Sequence, residues 1–388
     1  MSYEQGSFGE YQFASAVPQV NPMPAGFVRY WEIGEQRELM QQLESFLDTV
    51  LETGQVPFEI RHQYGREHAV RNPVGIAGYR SLSGFLPLCG RWMDLYWPGY
   101  AYSADIQLLF DCFMQHPFAQ VFGYGAPMSI IDKPVAANLY NDFVGYLRME
   151  AVRWGVRKGL TDWRANIDEQ AGSIGRYLGN VLSRHSHLVP IRVDFNYAED
   201  AFDGTDAMPR TGWSVTDGGV WRPVPSHLPV SHGRAETRSR IDTAAAMADR
   251  DRFFGNQRGA DKHLFERMAG YVCKLEQGGQ RRANHFHCVF LIDATGLSEA
   301  ELQAIKYGLG DRWRRVTGGQ GMMFDCHESP YRQALEAQGR WAINPVDCAD
   351  PVKVATFINY VSGYFAKDDN QMVRVKPMAK ARTLTMGR

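Results

Sequence analysis

Asn284-His285-Phe286-His287-Cys288-Val289-Phe290-Leu291-Ile292-Asp293 is the stretch on which the fold and the chemistry turn. Its β-branched and aromatic content predicts a strand, and along a strand alternate side chains share a face. His285 and His287 therefore stand about 7 Å apart at Cβ on one side, within reach of a single metal ion, while Phe286 points the other way. Beyond them, Cys288 to Ile292 is apolar on both faces, as in a central strand whose polar end opens into a site. A second signal lies downstream in Tyr360-Val361-Ser362-Gly363-Tyr364-Phe365-Ala366-Lys367. A metal pair and a tyrosine nucleophile together point to phosphate chemistry on nucleic acid.

The preceding stretch, Tyr271 to Glu276, also reads as a strand, and the turn Gln277-Gly278-Gly279-Gln280 makes the two antiparallel neighbours. Hairpin pairing then brings the Glu276 carboxylate beside the imidazoles, either as a third ligand or as a solvated strand-end charge. Two imidazoles and one carboxylate suit Mn²⁺ and tolerate Mg²⁺. His185-Ser186-His187 repeats the histidine spacing, but it follows a helical stretch and has no apolar strand around it. A helix C-terminal cap is the better reading there. Tyr360, Tyr364 and Lys367 fall at i, i+4 and i+7 of a helix over Asp350 to Lys367, whose neighbouring face carries Val354, Phe357, Val361 and Phe365. A phenol with an ordinary pKa of about 10 needs a metal to polarise the phosphate and a cation to hold developing charge. Lys367 is placed to supply the cation.

The background is permissive. The chain of 388 residues, 44% hydrophobic and with a formal net charge of −1, has enough apolar text for one large core or two ordinary ones. Near-neutral charge argues against coating nucleic acid through a broad basic surface, so DNA contact must be local. Candidates are Arg281 and Arg282 before the histidine strand, Arg312, Arg314 and Arg315 on the helix after it, and a basic tail with Arg374, Lys376, Lys380, Arg382 and Arg388. The six scattered cysteines predict free thiols in a reducing cytoplasm, and neither a membrane span nor a signal peptide is expected.

Apolar periodicity predicts helices over Gly34 to Thr53 and Val135 to Val156, with the aromatic text between them (Trp92, Tyr96, Trp97, Tyr100, Tyr102, Phe110, Phe113) read as core. Arg157-Lys158-Gly159 is the expected boundary between a mainly helical region, 1–159, and a second domain, 160–388. In the latter, a helix over Trp163 to Arg184 precedes a strand over Leu188 to Asn196. Ala198 to Gly233 reads as a long loop or small hairpin. Helices follow over Ala235 to Phe254 and Lys262 to Met268. A capping box, Ser298 with Glu301, opens a helix whose stripe is Leu302, Ile305, Leu309 and Trp313. Gly318 to His327 reads as a strand. The class is α+β, a central antiparallel sheet flanked by helices.

His285-Phe286-His287 followed by Tyr364-Phe365-Ala366-Lys367 resembles the HUH endonuclease superfamily. Histidines before tyrosine look like the replication-initiator branch. Gly270 to Glu276 and Asn359 to Asp369 look most like initiators of filamentous phages (inoviruses) and their prophage relatives. The resemblance covers roughly residues 185–370; Val193-Asp194-Phe195-Asn196 matches the first family motif only in part, and Gly363 stands where relatives often have lysine. It implies Glu276, His285 and His287 as ligands of Mg²⁺ or Mn²⁺, and Tyr364 as the nucleophile on single-stranded or hairpin origin DNA. The expected product is a 5′-phosphotyrosine with a free 3′-hydroxyl for a host polymerase. Tyr360 is either a second nucleophile or a packing residue. Without a phosphate loop, strand separation falls to a host helicase. A plasmid-mobilisation nickase and a non-catalytic origin-binding prophage protein are the alternatives.

Overall fold

The computed structural model describes residues 35–72, 78–96, 100–122, 133–197, 212–215, 221–224, 242–255, 257–277, 283–328, 330–339, 341–366, 373–375 and 380–387. Lys367, Arg281, Arg282 and the turn 278–282 lie outside them. Helix α1 (Glu35–Glu52) buries Leu39, Leu43, Phe46, Leu47 and Val50, the face its periodicity marks. Strands β1 (Phe58–Gln63) and β2 (Arg66–Arg71) form a hairpin. Helix α2 (Cys89–Trp92), strand β3 (Tyr100–Tyr102) and helices α3 (Ala104–Gln115), α4 (Phe118–Phe122) and α5 (Lys133–Arg153) complete the N-terminal part. The aromatic text is its core: Trp92, Tyr102, Phe110 and Phe113 are buried in one cluster with α1 and α5. Trp97 and the Tyr100 side chain lie outside the described residues.

Helix α6 (Val156–Leu182) runs through the expected boundary, with Arg157-Lys158-Gly159 in its first turn. A Cβ on Gly159 would meet the Ala104 Cβ at 2.7 Å, so the glycine lets α6 approach α3 closely. Val156 and Leu160 pack into the N-terminal core, whereas Ile174, Leu178 and Leu182 pack against the sheet that follows. One helix therefore belongs to both cores.

That sheet takes strand β4 (His187–Tyr197) from the text read as Leu188 to Asn196. Of Ala198 to Gly233, the described residues form a small hairpin, β5 (Gly212–Val215) with β6 (Trp221–Val224). Helices α7 (Thr243–Phe254) and α8 (Lys262–Phe265) lead into β7 (Met268–Gln277) and β8 (Asn284–Asp293). Helix α9 (Glu299–Val316) opens with the Ser298–Glu301 capping box. Then come β9 (Gly321–Asp325), α10 (Pro330–Ala337), β10 (Val346–Asp347), α11 (Pro351–Ala366), β11 (Val373–Val375) and β12 (Leu384–Gly387).

The main sheet runs β10-β4-β8-β7-β12, with β9 paired to the far end of β4, and its pairings are antiparallel. Strand alternation divides the buried residues of β8 between two layers. Phe286, Cys288, Phe290 and Ile292 face α7, α8 and α9, where Phe253, Leu264, Leu309 and Trp313 meet them. Val289 and Leu291 face α6 and α11, where Leu178, Phe357, Val361 and Phe365 meet them. Each such aromatic or aliphatic side chain contributes about 1.5–3 kcal/mol on burial, so β8 is held from both sides and its polar end is fixed. Mixed helix and antiparallel sheet, after a mainly helical N-terminal part, is the class the sequence predicts. Among the described residues no helix is long and apolar enough to cross a membrane.

Candidate metal centre

The histidines sit at the start of β8, on the α11 side of the sheet, where the apolar run of that layer ends. Register decides their neighbours: Glu276 of β7 lies opposite His285, and Asp194 of β4 lies opposite His287. Cross-strand partners share a face, so these four groups form one polar patch under α11. His285 Nε2 and His287 Nε2 are 3.2 Å apart, and Glu276 Oε2 is 3.2 Å from His287 Nε2. Among the described residues this triad is the group able to hold a metal, its ligand atoms all within 4.8 Å of one another. Bonds of about 2.1 Å to one cation at right angles place donors about 3 Å apart, and the two shortest separations fit that.

The outer nitrogens fix which atoms point inward. His285 Nδ1 lies 3.3 Å from the Ala283 carbonyl oxygen and His287 Nδ1 lies 2.6 Å from Asp194 Oδ1. Each acceptor takes a hydrogen bond from the Nδ1 proton and turns Nε2 toward the triad, the usual supporting arrangement around a ligating histidine. The charges agree. Burial, the largest influence on His287, lowers its pKa, but the Asp194 and Glu276 hydrogen bonds outweigh it and raise the value to about 9. His285 is pushed down by burial and by His287 beside it. Burial works to raise the carboxyl pKa of Glu276, yet His287 and Lys274 hold it well below the usual carboxylate range. The triad is thus an anionic carboxylate beside one neutral and one proton-loving imidazole, a donor set compatible with a divalent cation.

Helix α11 lays its tyrosines across this patch. Tyr364 Oη is 2.9 Å from His287 Nδ1, and the Arg192 guanidinium lies 4.0 Å from the centre of its ring. Arg192 Nη1 donates to Tyr360 Oη at 2.7 Å, and the two phenol rings run nearly parallel, 6.5 Å apart. Burial raises the Tyr364 pKa; Asp194 raises it further and Arg192 opposes both.

Sequence reasoning found Glu276, His285, His287, Tyr360 and Tyr364, and the structure brings all five together. It missed Arg192, Asp194 and Lys274, whose Nζ is 3.0 Å from Glu276 Oε1. Lys274 carried a signal, being two residues before Glu276 on a predicted strand. Arg312 requires correction: it is 7% exposed and donates to the Phe253 and Gly255 carbonyls and to Asp261, so it ties the end of α7 to α9 and offers nothing to DNA. Arg315 pairs with Asp261 at 2.5 Å, and Arg314 is exposed in the last turn of α9. Helix α9 packs on the opposite layer of the sheet from the triad. His185 and His187 do not converge: His185 follows α6 and sets its ring 3.4 Å from Asp293, while His187 starts β4. The chain has no significant match among family models, curated proteins or solved structures.

Proposed function

We propose that the protein is a metal-dependent tyrosine endonuclease and strand transferase of the HUH type, a rolling-circle replication initiator acting on single-stranded or hairpin origin DNA. One observation carries the reading: a two-histidine, one-carboxylate triad lies directly beneath a helix that presents Tyr364 2.9 Å from one of the ligating imidazoles. Glu276, His285 and His287 would hold Mn²⁺ or Mg²⁺, which supplies Lewis acidity toward a phosphate oxygen and a template for its orientation. Asp194 keeps His287 turned inward. The Tyr364 phenol now touches Nδ1, the ring nitrogen facing away from the triad, so it swings toward the phosphate to attack. The phenol proton leaves to solvent, and Asp194, whose pKa burial raises but His287 and Arg192 lower overall, stays ionised on the same nitrogen. A P–O bond forms to Tyr364 as the bond from phosphorus to the 3′ oxygen breaks, and that oxygen takes up a proton from water as it leaves, becoming the 3′ hydroxyl. The DNA 5′ end stays on the protein. Tyr360, held by Arg192, is the group available for the reverse exchange.

The test is incubation of the full chain with a randomised pool of single-stranded oligonucleotides, with Mn²⁺ or with chelator, followed by a denaturing gel. A covalent protein–DNA species that needs Mn²⁺ and disappears in His285→Ala and His287→Ala supports the reading. Absence of cleavage and adduct under every divalent condition contradicts it.

A further inference from the structure

The register that gathers the triad also extends its face outward by one more strand. Across β4, Asp194 is opposite Phe324 of β9 and Asn196 is opposite Met322. Phe324 and Met322 therefore stand on the same face as His287 and Asp194, two strand spacings from the triad, or about 10 Å. Their neighbours Met323 and Asp325 turn the other way, Met323 onto Gly310 and Asp325 onto Lys306, both of α9. Phe324 is 50% exposed and Met322 53% exposed. Large apolar side chains half-exposed at alternate positions beside a polar site form a flat platform continuous with that site.

We propose that Phe324, with Met322 beside it, is the stacking platform for a base of single-stranded DNA flanking the phosphate held at the triad. The inference rests on the nuclease reading and deepens it by naming how the substrate strand is seated. The occupant follows from chemistry. A phosphate at Glu276, His285 and His287 carries on its own backbone a planar group with two π-faces, and a half-exposed phenyl ring flanked by a polarisable thioether suits such a face. Stacking is tolerant of base identity, so Phe324 supplies affinity and register on the sheet rather than a sequence code. Strand β9 is bonded to β4 and, among the described pairings, to no other strand, so the competing occupant is a second copy of this chain along that edge.

The experiment uses the full-length protein and a short fluorescein-labelled single-stranded oligonucleotide pool, read by anisotropy. Phe324→Ala is expected to raise Kd about 5- to 150-fold, the range for loss of one stacked base. Phe324→Leu should lose as much, since it keeps apolar area but no ring, and Phe324→Tyr should bind as the parent does. Mn²⁺ affinity and unfolding temperature should be unchanged in all three. Parent-like affinity in Phe324→Ala, or in Phe324→Leu, overturns the proposal. So does a parent dimer in light scattering that Phe324→Ala dissociates, which assigns the face to self-association. A parent protein that forms no DNA adduct refutes the nuclease reading itself; a normal adduct with unchanged Phe324→Ala affinity refutes only the platform.

Discussion

Asp194→Ala is the perturbation whose size the structure sets most tightly. Asp194 Oδ1 sits 2.6 Å from His287 Nδ1 and has no part in the triad itself. Its loss removes the anion that orients the imidazole and strengthens it as a donor, without removing a ligand. Such supporting partners are worth about 10- to 100-fold in metal affinity, or about 1.4–2.7 kcal/mol. Asn at 194 keeps an oxygen acceptor at the same place but not the charge, so it should fall near the lower figure and Ala near the upper. Calorimetric titration with Mn²⁺ reads both. The same titration across pH adds a sign. In the metal-free site His287 keeps its proton up to about 9, and a cation at Nε2 must displace it. Mn²⁺ affinity should therefore climb with pH until about 9 and then flatten. In Asp194→Ala the largest raising hydrogen bond is gone, and the break should move down toward the ordinary histidine value of about 6.5. Parent-like affinity and an unmoved break in Asp194→Ala would refute this reasoning.

Three further outcomes are expected. Metal-free stability should contain a His287 contribution that is complete below about pH 6.5, where the unfolded ring is also protonated, and is lost as pH rises through about 9; thermal melts should show a larger decline in the parent than in Asp194→Ala, where Glu276 alone raises the value. Arg312→Ala leaves Asp261 with Arg315 alone and the Phe253 and Gly255 carbonyls without their donor, so denaturant unfolding should show a loss of about 2–4 kcal/mol, against about 0.5 kcal/mol or less for the exposed Arg314→Ala. Gly270→Ala forces a Cβ to 2.3 Å from Tyr177 Oη, a hydroxyl that donates to the Gly387 carbonyl and accepts from the Tyr271 N–H; calorimetric melting should report destabilisation of about 1–3 kcal/mol.

What could be read from the chain was what nearby residues decide. The alternation in Asn284 to Asp293, the Ser298–Glu301 box and the helical spacing of Tyr360 and Tyr364 are local patterns, and each element formed where they pointed. Glu276 was reachable because only a tight turn separates its strand from the histidines. Asp194 was not, since it lies far back in the chain and comes opposite His287 only through the β4–β8 register, which no local pattern records. Arg192 shares that strand, and its burial under two phenols depends on where α11 crosses the sheet. Gly159 lies inside α6 rather than between elements for a physical reason no local pattern records: it makes room for Ala104 of α3. Arg312 misled because a basic residue near a helix end looks solvated until its acceptors, in α7 and the segment after it, are known.

The most direct test of the proposed chemistry is peptide mapping of the trapped protein–DNA adduct formed by the full chain with Mn²⁺. Tyr364 has Phe365 after it and its hydroxyl on His287, whereas the Tyr360 hydroxyl is held by Arg192. The expected result is DNA joined through its 5′ phosphate to Tyr364, absent in Tyr364→Phe and retained in Tyr360→Phe. DNA found on Tyr360 alone, a 3′-linked adduct, or metal-dependent cleavage that persists with both tyrosines replaced would contradict a tyrosine-nucleophile mechanism led by Tyr364.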